Sequence, residues 1–216
     1  MVQKLSLCLV CLILSACSVA RTQAPTHHLP IDETLQVAMV LPGARWQLHK
    51  EAPPFVAQQM TEHLQQELSA AGHKMDEKQL LQLARKRLSV NEGYVVNEGS
   101  GAVLMVDFSL QQPDTEAPTM AELRGSAYGA LLALENEAGV SGLESRFATI
   151  RIAGGKKACR VEARYLLDGK AHLFIGIIGY RSPYRYYFYY NDLLRNVQDQ
   201  VDMEQILHSL ELQVVP

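Results

Sequence analysis

Histidine is the first residue type to consider for chemistry, because histidines at suitable spacing bind metal ions. The seven histidines include one adjacent pair, His27-His28, and none stands in the His-Glu-x-x-His arrangement of zinc hydrolases. The pair lies between Pro25 and Pro30 in a segment without apolar periodicity, which offers no rigid scaffold for coordination. His63 and His73 are spaced so that one helix face does not hold both. We therefore expect no metal ion and no cofactor.

The serine and glycine motifs do not match those of covalent or phosphate chemistry. Neither Gly125-Ser126-Ala127-Tyr128-Gly129 nor Gly139-Val140-Ser141-Gly142 has the Gly-x-Ser-x-Gly spacing of a hydrolase nucleophile. We place Ser126 inside a helix whose small residues allow close packing on a sheet. Gly154-Gly155-Lys156-Lys157 lacks the length and the terminal Ser or Thr of a phosphate loop, so it predicts a basic hairpin turn.

A hydrolase acting on cell-wall or lipid material is the alternative to a protein without enzymatic activity. Its site would have to be assembled from scattered polar residues such as Asp107, Glu162 and His172. Because no motif spacing links these three residues, the sequence favours a protein that binds a partner and is not an enzyme.

The cysteines indicate a covalent modification. Lys4 precedes an apolar run, residues 5–14, that is too short to span a bilayer and is typical of a cleavable secretory signal. Leu14-Ser15-Ala16-Cys17 then matches the bacterial lipobox, in which the cysteine is acylated and becomes the first residue of the mature chain. We therefore expect lipid on Cys17; an ordinary signal peptide with an incidental cysteine is the alternative. Ser18, in place of Asp, favours sorting to the outer membrane of a Gram-negative envelope.

The composition narrows the class of protein. The chain has 216 residues, 48% of them hydrophobic, and a formal net charge of −3, so it lacks the basic character of a nucleic-acid-binding protein. Cys8 and Cys11 leave with the signal and Cys17 takes the lipid, so Cys159 remains alone. A single cysteine forms neither an intramolecular disulfide nor a thiolate zinc site, and the fold must depend on its apolar core.

A segment rich in tyrosine is the best candidate for a contact surface. Alternation along a strand places Tyr184, Tyr186, Phe188 and Tyr190 on one face and Arg185, Tyr187 and Tyr189 on the other. The set that contains Phe188 is the more apolar and is the better core candidate. Arg185, Tyr187 and Tyr189 are therefore the predicted partner surface, since Tyr and Arg are enriched in protein interfaces. Ordinary sheet packing is the alternative.

The elements that would position these residues change in type along the chain. Residues 34–41 predict a strand that ends at Pro42-Gly43, with a short strand through Leu48 after it. Residues 54–89 predict a helical hairpin, because Val56, Met60, Leu64 and Leu68 lie four apart and Asp76 with Gln79 begins a second helix. Residues 101–110 predict a central strand. Thr119 and Glu122 form a second capping box, which begins a helix that continues to about Ala138.

The last third predicts three consecutive antiparallel strands. Cys159, Val161, Ala163 and Tyr165 alternate with charged residues, as in a half-buried strand. Asp168-Gly169 is the favoured two-residue hairpin turn, and residues 172–180 and 184–190 continue the sheet. We expect Asp202 to cap a closing helix. Strands with helices before and after them predict an α+β domain with a mainly antiparallel sheet.

This order of elements resembles the PsbP-like fold, named for an extrinsic subunit of the photosynthetic oxygen-evolving complex. The local match lies in residues 160–165, Asp168-Gly169, the aromatic residues 186–190, and Ile206-Leu207-His208-Ser209-Leu210 near the C-terminus. The resemblance covers at most residues 34–212, and the helical hairpin is larger than the family carries at that point. It implies a sheet-and-helix sandwich and an auxiliary or assembly protein, with no shared catalytic residues.

The predicted organisation has three parts. Residues 1–16 are a lipoprotein signal peptide, residues 17–32 a tether, and residues 33–216 a single α+β domain. The function we expect is that of a lipid-anchored periplasmic protein of the outer membrane. It would be attached to the membrane through Cys17 and would bind an envelope protein partner.

Overall fold

The computed structural model describes residues 25–70, 72–112, 115–194 and 196–215. Cys17, Ser18 and the predicted signal peptide, residues 1–16, lie outside these ranges. No helix in the described ranges combines the length and the apolar character needed to cross a membrane.

The described chain forms two antiparallel sheets and four helices, which confirms the predicted α+β class. Three strands lie in the order β1-β2-β10, and seven lie in the order β3-β4-β5-β9-β8-β7-β6. The strands are β1 (Thr26–Pro30), β2 (Leu35–Val40), β3 (Gln47–His49), β4 (Gly93–Asn97), β5 (Ala102–Leu110), β6 (Val140–Arg151), β7 (Lys157–Leu167), β8 (Lys170–Arg181), β9 (Tyr184–Leu193) and β10 (Glu211–Val214). The helices are α1 (Pro54–Ala70), α2 (Glu77–Leu88), α3 (Met120–Glu135) and α4 (Val197–Ser209).

The main core lies between the two sheets. Tyr186, Phe188 and Tyr190 of β9 are fully buried there, opposite Val37 and Met39 of β2. Met203, Ile206 and Leu207 of α4 pack into the same core. We call this side of the seven-stranded sheet the inner face. Its apolar set is the one that the alternation of β9 predicts.

The other side, which we call the outer face, carries the remaining helices. The α1–α2 hairpin packs over β4 and β5, where Val56 and Leu88 meet Tyr94, Val96 and Val103. Helix α3 packs over β7 and β8 through three buried side chains, Leu123, Ala127 and Leu131. The domain therefore has three layers: the small sheet with α4, the large sheet, and the outer helices.

Local sequence signals account for several element boundaries. Asp76 with Gln79 and Thr119 with Glu122 form reciprocal capping boxes that begin α2 and α3. Asp168 and Gly169 make the turn between β7 and β8 with φ angles of 50° and 74°, the left-handed values that a tight hairpin turn needs. The predicted three-stranded meander is thus present as β7, β8 and β9.

The structure corrects the predicted tether of residues 17–32. Residues 26–30 form β1, which pairs with β2 from Thr26↔Val40 to Pro30↔Gln36. Leu29 is buried in the main core, so the segment contributes packing as well as backbone hydrogen bonds. Asp32 then closes the β1–β2 turn by accepting from the Thr34 and Leu35 amides at 2.7 and 2.8 Å. The described domain therefore begins at Thr26 and not at residue 33.

The closing helix also differs from the prediction. Asn196 caps α4, through a hydrogen bond from the Gln198 amide, while Asp202 lies inside the helix and is buried. The sequence reading also missed β4 and β10 and placed the end of α3 three residues late. Asp202 precedes an apolar stretch, as a capping residue does, but it accepts from Gln198 one turn earlier and from Arg45 and Trp46, which are distant in the chain.

Candidate functional site

The predicted partner surface lies on the central strand of the large sheet. Arg185, Tyr187 and Tyr189 are on the outer face of β9, each half-buried. On β5 they pair with Ser109, Asp107 and Met105 in the same order, and paired residues share a face. We call the six residues the β9 strip. It runs between the α1–α2 hairpin, which contacts Met105, and α3, whose core cluster contacts Tyr187 and Tyr189.

The two tyrosines of the strip are partly packing residues. The Tyr189 ring stacks on Phe174 with centroids 5.8 Å apart, and the Tyr187 ring lies 6.0 Å from that of Tyr189. Burial raises the pKa of Tyr189, and nearby Tyr187 and Asp107 raise it further. These contacts fix the ring orientations, so the part of each tyrosine that stays accessible is presented rigidly.

Charge along the strip is of mixed sign. The pKa of Glu122, in the first turn of α3, is lowered chiefly by hydrogen bonds from Thr119. The charge of Arg185 makes a smaller contribution to the same shift. Burial raises the pKa of the Asp107 carboxyl. Burial and the Asp107 charge together raise the pKa of Glu92. The strip therefore offers a cation at one end, a half-buried carboxyl beside it, and two aromatic rings.

The three residues of the hydrolase alternative do not come together. Asp107 is on the outer face of β5, and His172, on which the Tyr165 ring stacks at 5.3 Å, is on the outer face of β8. Glu162 is on the inner face of β7, where Arg146 and Arg160 donate to it at 2.8 and 3.2 Å. A sheet separates Glu162 from the other two residues, so the geometry gives this set no common site.

Sequence reasoning missed a buried acidic cluster on the inner side. Asp192, Asp199 and Asp202 are exposed by 2%, 0% and 3%. Asp202 accepts hydrogen bonds from Trp46, Arg45 and Gln198, and Asp199 accepts from Asn97 at 2.9 Å. Burial raises the pKa of Asp202, but these hydrogen bonds outweigh it, so the net shift is downward. Asn97 lies 102 residues from Asp199, and Trp46 and Arg45 lie 156 and 157 residues from Asp202, so no local pattern reveals these contacts.

Asp192 is the least compensated member of the cluster. Neither of its carboxylate oxygens, nor the neighbouring Tyr190 hydroxyl, has a hydrogen-bond partner with good geometry among the described residues. Burial raises the pKa of Asp192 to about 6; the adjacent Tyr190 hydroxyl opposes this rise, and the charge of Asp199 adds to it. A carboxyl in this setting is protonated more readily than an exposed one.

A polar pocket of about 320 Å³ opens beside the cluster. It is lined by Arg45, Asn97, Gly99, Ser100 and Asn196. The Asn97 amide and the Arg45 guanidinium are held by Asp199 and Asp202, so the pocket wall depends on the buried carboxylates. These carboxylates therefore have a structural role: they fix a loop, a strand end and α4 to one another.

The histidines and Cys159 lie at separate positions in the fold. His27 and His28 lie in β1, and His63 Nδ1 is 3.4 Å from Glu137 Oε1, which connects α1 to the segment after α3. Across the described part of the chain, no three His, Cys, Asp or Glu side chains converge as metal ligands. Cys159 is 2% exposed under α3, and burial raises the pKa of its thiol.

Among the small residues of α3, Ala127 packs on the sheet as expected, but the two glycines do not. Gly125 and Gly129 are exposed, and a Cβ added at either would meet no atom within 4 Å. The helix packs on the sheet through Leu123, Ala127 and Leu131. Its solvent-facing side carries Tyr128, which is 52% exposed.

Comparison with known proteins gives likeness of structure but not of sequence. No protein-family model and no curated protein matches the chain. One similar solved structure is the solution structure of PsbP (CyanoP) from Synechocystis sp. PCC 6803, with a TM-score of 0.49 and 10% identity, covering 92% of this chain and 98% of that chain. Another is LpqN, involved in cell envelope biogenesis of Mycobacterium tuberculosis, with a TM-score of 0.49 and 11% identity, covering 89% of this chain and 90% of that chain. PsbP is the family that the sequence resembles.

Proposed function

We propose that this chain is a lipid-anchored protein of the bacterial envelope, on the periplasmic side of the outer membrane, that binds a protein partner and is not an enzyme. The observation that carries the proposal is the Leu14-Ser15-Ala16-Cys17 junction followed so soon by a folded domain. Supporting it, the residues of the hydrolase alternative lie on two faces of the sheet.

The distance between the lipid and the domain is short. Eight residues, 18–25, separate Cys17 from β1. Even fully extended, this segment spans no more than about 30 Å. The tether therefore keeps the start of β1 within about one domain diameter of the membrane.

The layer order then favours one side of the domain for partner binding. β1 belongs to the small sheet, and the β9 strip lies on the outer face of the large sheet, on the other side of the main core. Since packed layers are about 10 Å apart, the strip is on the side of the molecule that β1 does not occupy. A tether attached at β1 leaves that side accessible to a protein in the periplasm.

The proposed contact residues are Arg185, Tyr187 and Tyr189. Rigid tyrosines lose little conformational entropy on binding, and arginine donates hydrogen bonds in a fixed fork, so both suit an interface. Asp107, between the two helical units, adds an acceptor of opposite charge beside Arg185. A partner segment of mixed polarity fits this arrangement better than a uniformly acidic or basic one.

Anchoring is tested by metabolic labelling with palmitate and by membrane fractionation. We expect label and membrane association in the wild type and in the Cys159→Ala control, and neither in Cys17→Ser. Label or membrane retention in Cys17→Ser would contradict lipid attachment at this cysteine.

The contact surface is tested by photo-crosslinking in native membranes. A photoreactive residue at position 185 should capture an envelope protein that the same residue at position 87 does not capture. Arg87 is a suitable control because it is a half-exposed arginine on α2, ion-paired with Glu67 at 3.0 Å, outside the strip. Identical products from both positions would overturn the assignment of the surface.

A further inference from the structure

Strand β6 is a long edge of the large sheet. It has 12 residues, and among the described residues it pairs with β7 alone. Every residue from Val140 to Arg151 is exposed or half-buried. The ladder with β7 has a register irregularity between Ser141 and Glu144 and is regular from Glu144 to Arg151. Along the regular part, the backbone N–H and C=O groups on the free side of β6 form a row that another strand can pair with.

Residues at equal distances before and after Ser145 match each other in chemical type: one pair is oppositely charged and the next pair is apolar. Glu144 and Arg146 lie on one side of the strand, where Arg146 pairs with Glu162 of the inner face at 2.8 Å. Leu143 and Phe147 lie on the other side, half-buried against the α3 cluster. Ser145 is at the centre and is exposed. Thus an acid and a base flank Ser145 on one face, and two apolar residues flank it on the other.

We propose that two copies of this chain associate through β6, antiparallel, about a twofold axis at Ser145. This register places Glu144 of each copy opposite Arg146 of the second copy, and Leu143 opposite Phe147. Opposite charges that face each other across strands stabilise pairing, whereas like charges destabilise it. A strand from an unrelated protein would have to match this order of charges by coincidence, but a second copy matches it by symmetry.

Helix α3 supports the same axis. The Arg124 guanidinium lies over the Phe147 ring at 5.3 Å, so this flank of α3 faces the β6 edge. Tyr128 is one turn further on the same flank and is 52% exposed. A twofold axis perpendicular to the sheet puts both α3 helices on the same face of the joined sheet, where the two Tyr128 side chains cover the junction.

The test is disulfide crosslinking of the full chain in membranes, read on non-reducing gels. In an antiparallel pair, residues directly opposite have Cα atoms about 4.5–5.5 Å apart, within disulfide range. Ser145→Cys should therefore form a dimer with itself. The wild type, whose Cys159 is buried, and Ser89→Cys, at an exposed serine after α2, should not.

The register and the charges are tested separately. A copy with Glu144→Cys and a differently tagged copy with Arg146→Cys should crosslink to each other. Two copies with the same substitution should not crosslink, because the Cα atoms of residue 144 in the two copies, or of residue 146, are then over about 7 Å apart. Adding Glu144→Ala to Ser145→Cys removes both ion pairs between the copies and should lower the yield about fivefold, whereas adding Glu98→Ala, at an exposed acidic residue outside β6, should not. Melting temperatures confirm that each variant is folded.

Three results would overturn the proposal: no Ser145→Cys dimer in folded protein, equal dimer from Ser89→Cys, or crosslinking of Ser145→Cys to a different protein only. The same oxidation is run on the soluble fraction as well as on membranes, so these results do not depend on lipid attachment, and none of the substituted positions lies in the β9 strip.

Discussion

The indole Nε1 of Trp46 donates to Oδ2 of Asp202 at 2.7 Å, and this bond joins the segment before β3 to the middle of α4. Arg45 donates to the same oxygen, and Gln198 donates to Oδ1 at 2.8 Å. Three donors from two parts of the chain therefore depend on one buried carboxylate. Removing it leaves an indole N–H without its acceptor and a guanidinium without its main counter-charge.

Asp202→Ala should lower the free energy of unfolding by about 1–3 kcal/mol, because the buried Trp46 N–H loses its acceptor while the Arg45 side chain, 36% exposed, keeps contact with water. Urea unfolding of the two proteins at neutral pH measures the difference. Glu98→Ala, at an exposed acidic residue near the same pocket, should stay within about 0.5 kcal/mol of wild type. Equal effects of the two substitutions would contradict the role of Asp202.

Asp192→Asn should stabilise the protein at neutral pH. The folded-state pKa of Asp192 is about 6, against 3.8 for an exposed aspartate, so the folded protein holds a proton that the unfolded chain releases. The free energy of unfolding therefore falls as the pH rises from about 4 to 6, because the folded protein must then release this proton. At about 1.36 kcal/mol per pKa unit, the loss is about 3 kcal/mol. Unfolding measured at pH 4 and pH 7.5 should show a larger gain for the variant at pH 7.5. An equal gain at both pH values would contradict this assignment.

Gly179→Ala should destabilise the domain. A Cβ at this position would lie 2.1 Å from Cζ of Tyr186, whose ring is fully buried against the glycine. The ring must move within a close-packed core, at a cost of about 1–3 kcal/mol. A melting temperature equal to that of the wild type would show that the core accommodates the methyl group.

Gly125→Ala should instead stabilise the domain. Gly125 is exposed in α3 with open space around it, so alanine adds helix propensity without a clash. The expected gain is about 0.5–1 kcal/mol, measured by urea unfolding. A loss of stability would indicate that this face of α3 is packed in solution.

Tyr189→Ala separates packing from binding on the β9 strip. Because Tyr189 stacks on Phe174 and contacts the α3 cluster, its removal should cost on the order of 3 kcal/mol. Arg185→Ala should change stability by less than about 1 kcal/mol and should reduce partner capture. If Tyr187→Ala and Tyr189→Ala leave stability unchanged, both tyrosines contribute to a surface and little to the core.

The sequence predicts the C-terminal strands well because one face of each is buried under a helix or against the small sheet. Cys159, Val161 and Ala163 alternate with charged residues for this reason. β4 escapes detection because all of its five residues are buried, which leaves no alternation. β1 escapes because its two histidines and Pro30 are typical of a loop, and only its pairing with β2 makes it a strand.

The candidate site is predictable only in part. The alternation of β9 identifies which residues share a face, but it does not show that α3 contacts Tyr187 and Tyr189. The contacts of the buried carboxylates cannot be predicted from neighbouring residues, since Arg45 and Trp46, which donate to Asp202, lie more than 150 positions away in the chain. Such long-range polar contacts depend on the complete topology.

The small sheet has a consequence for the order of folding. Its middle strand, β2, pairs on one side with β1, which directly precedes it, and on the other with β10, which follows α4. The β1–β2 hairpin closes a short loop, whereas the β2–β10 ladder joins residues 35–38 to residues 211–214 across the rest of the domain. A chain that folds from its N-terminal side alone therefore leaves one edge of β2 unpaired until α4 and β10 reach it.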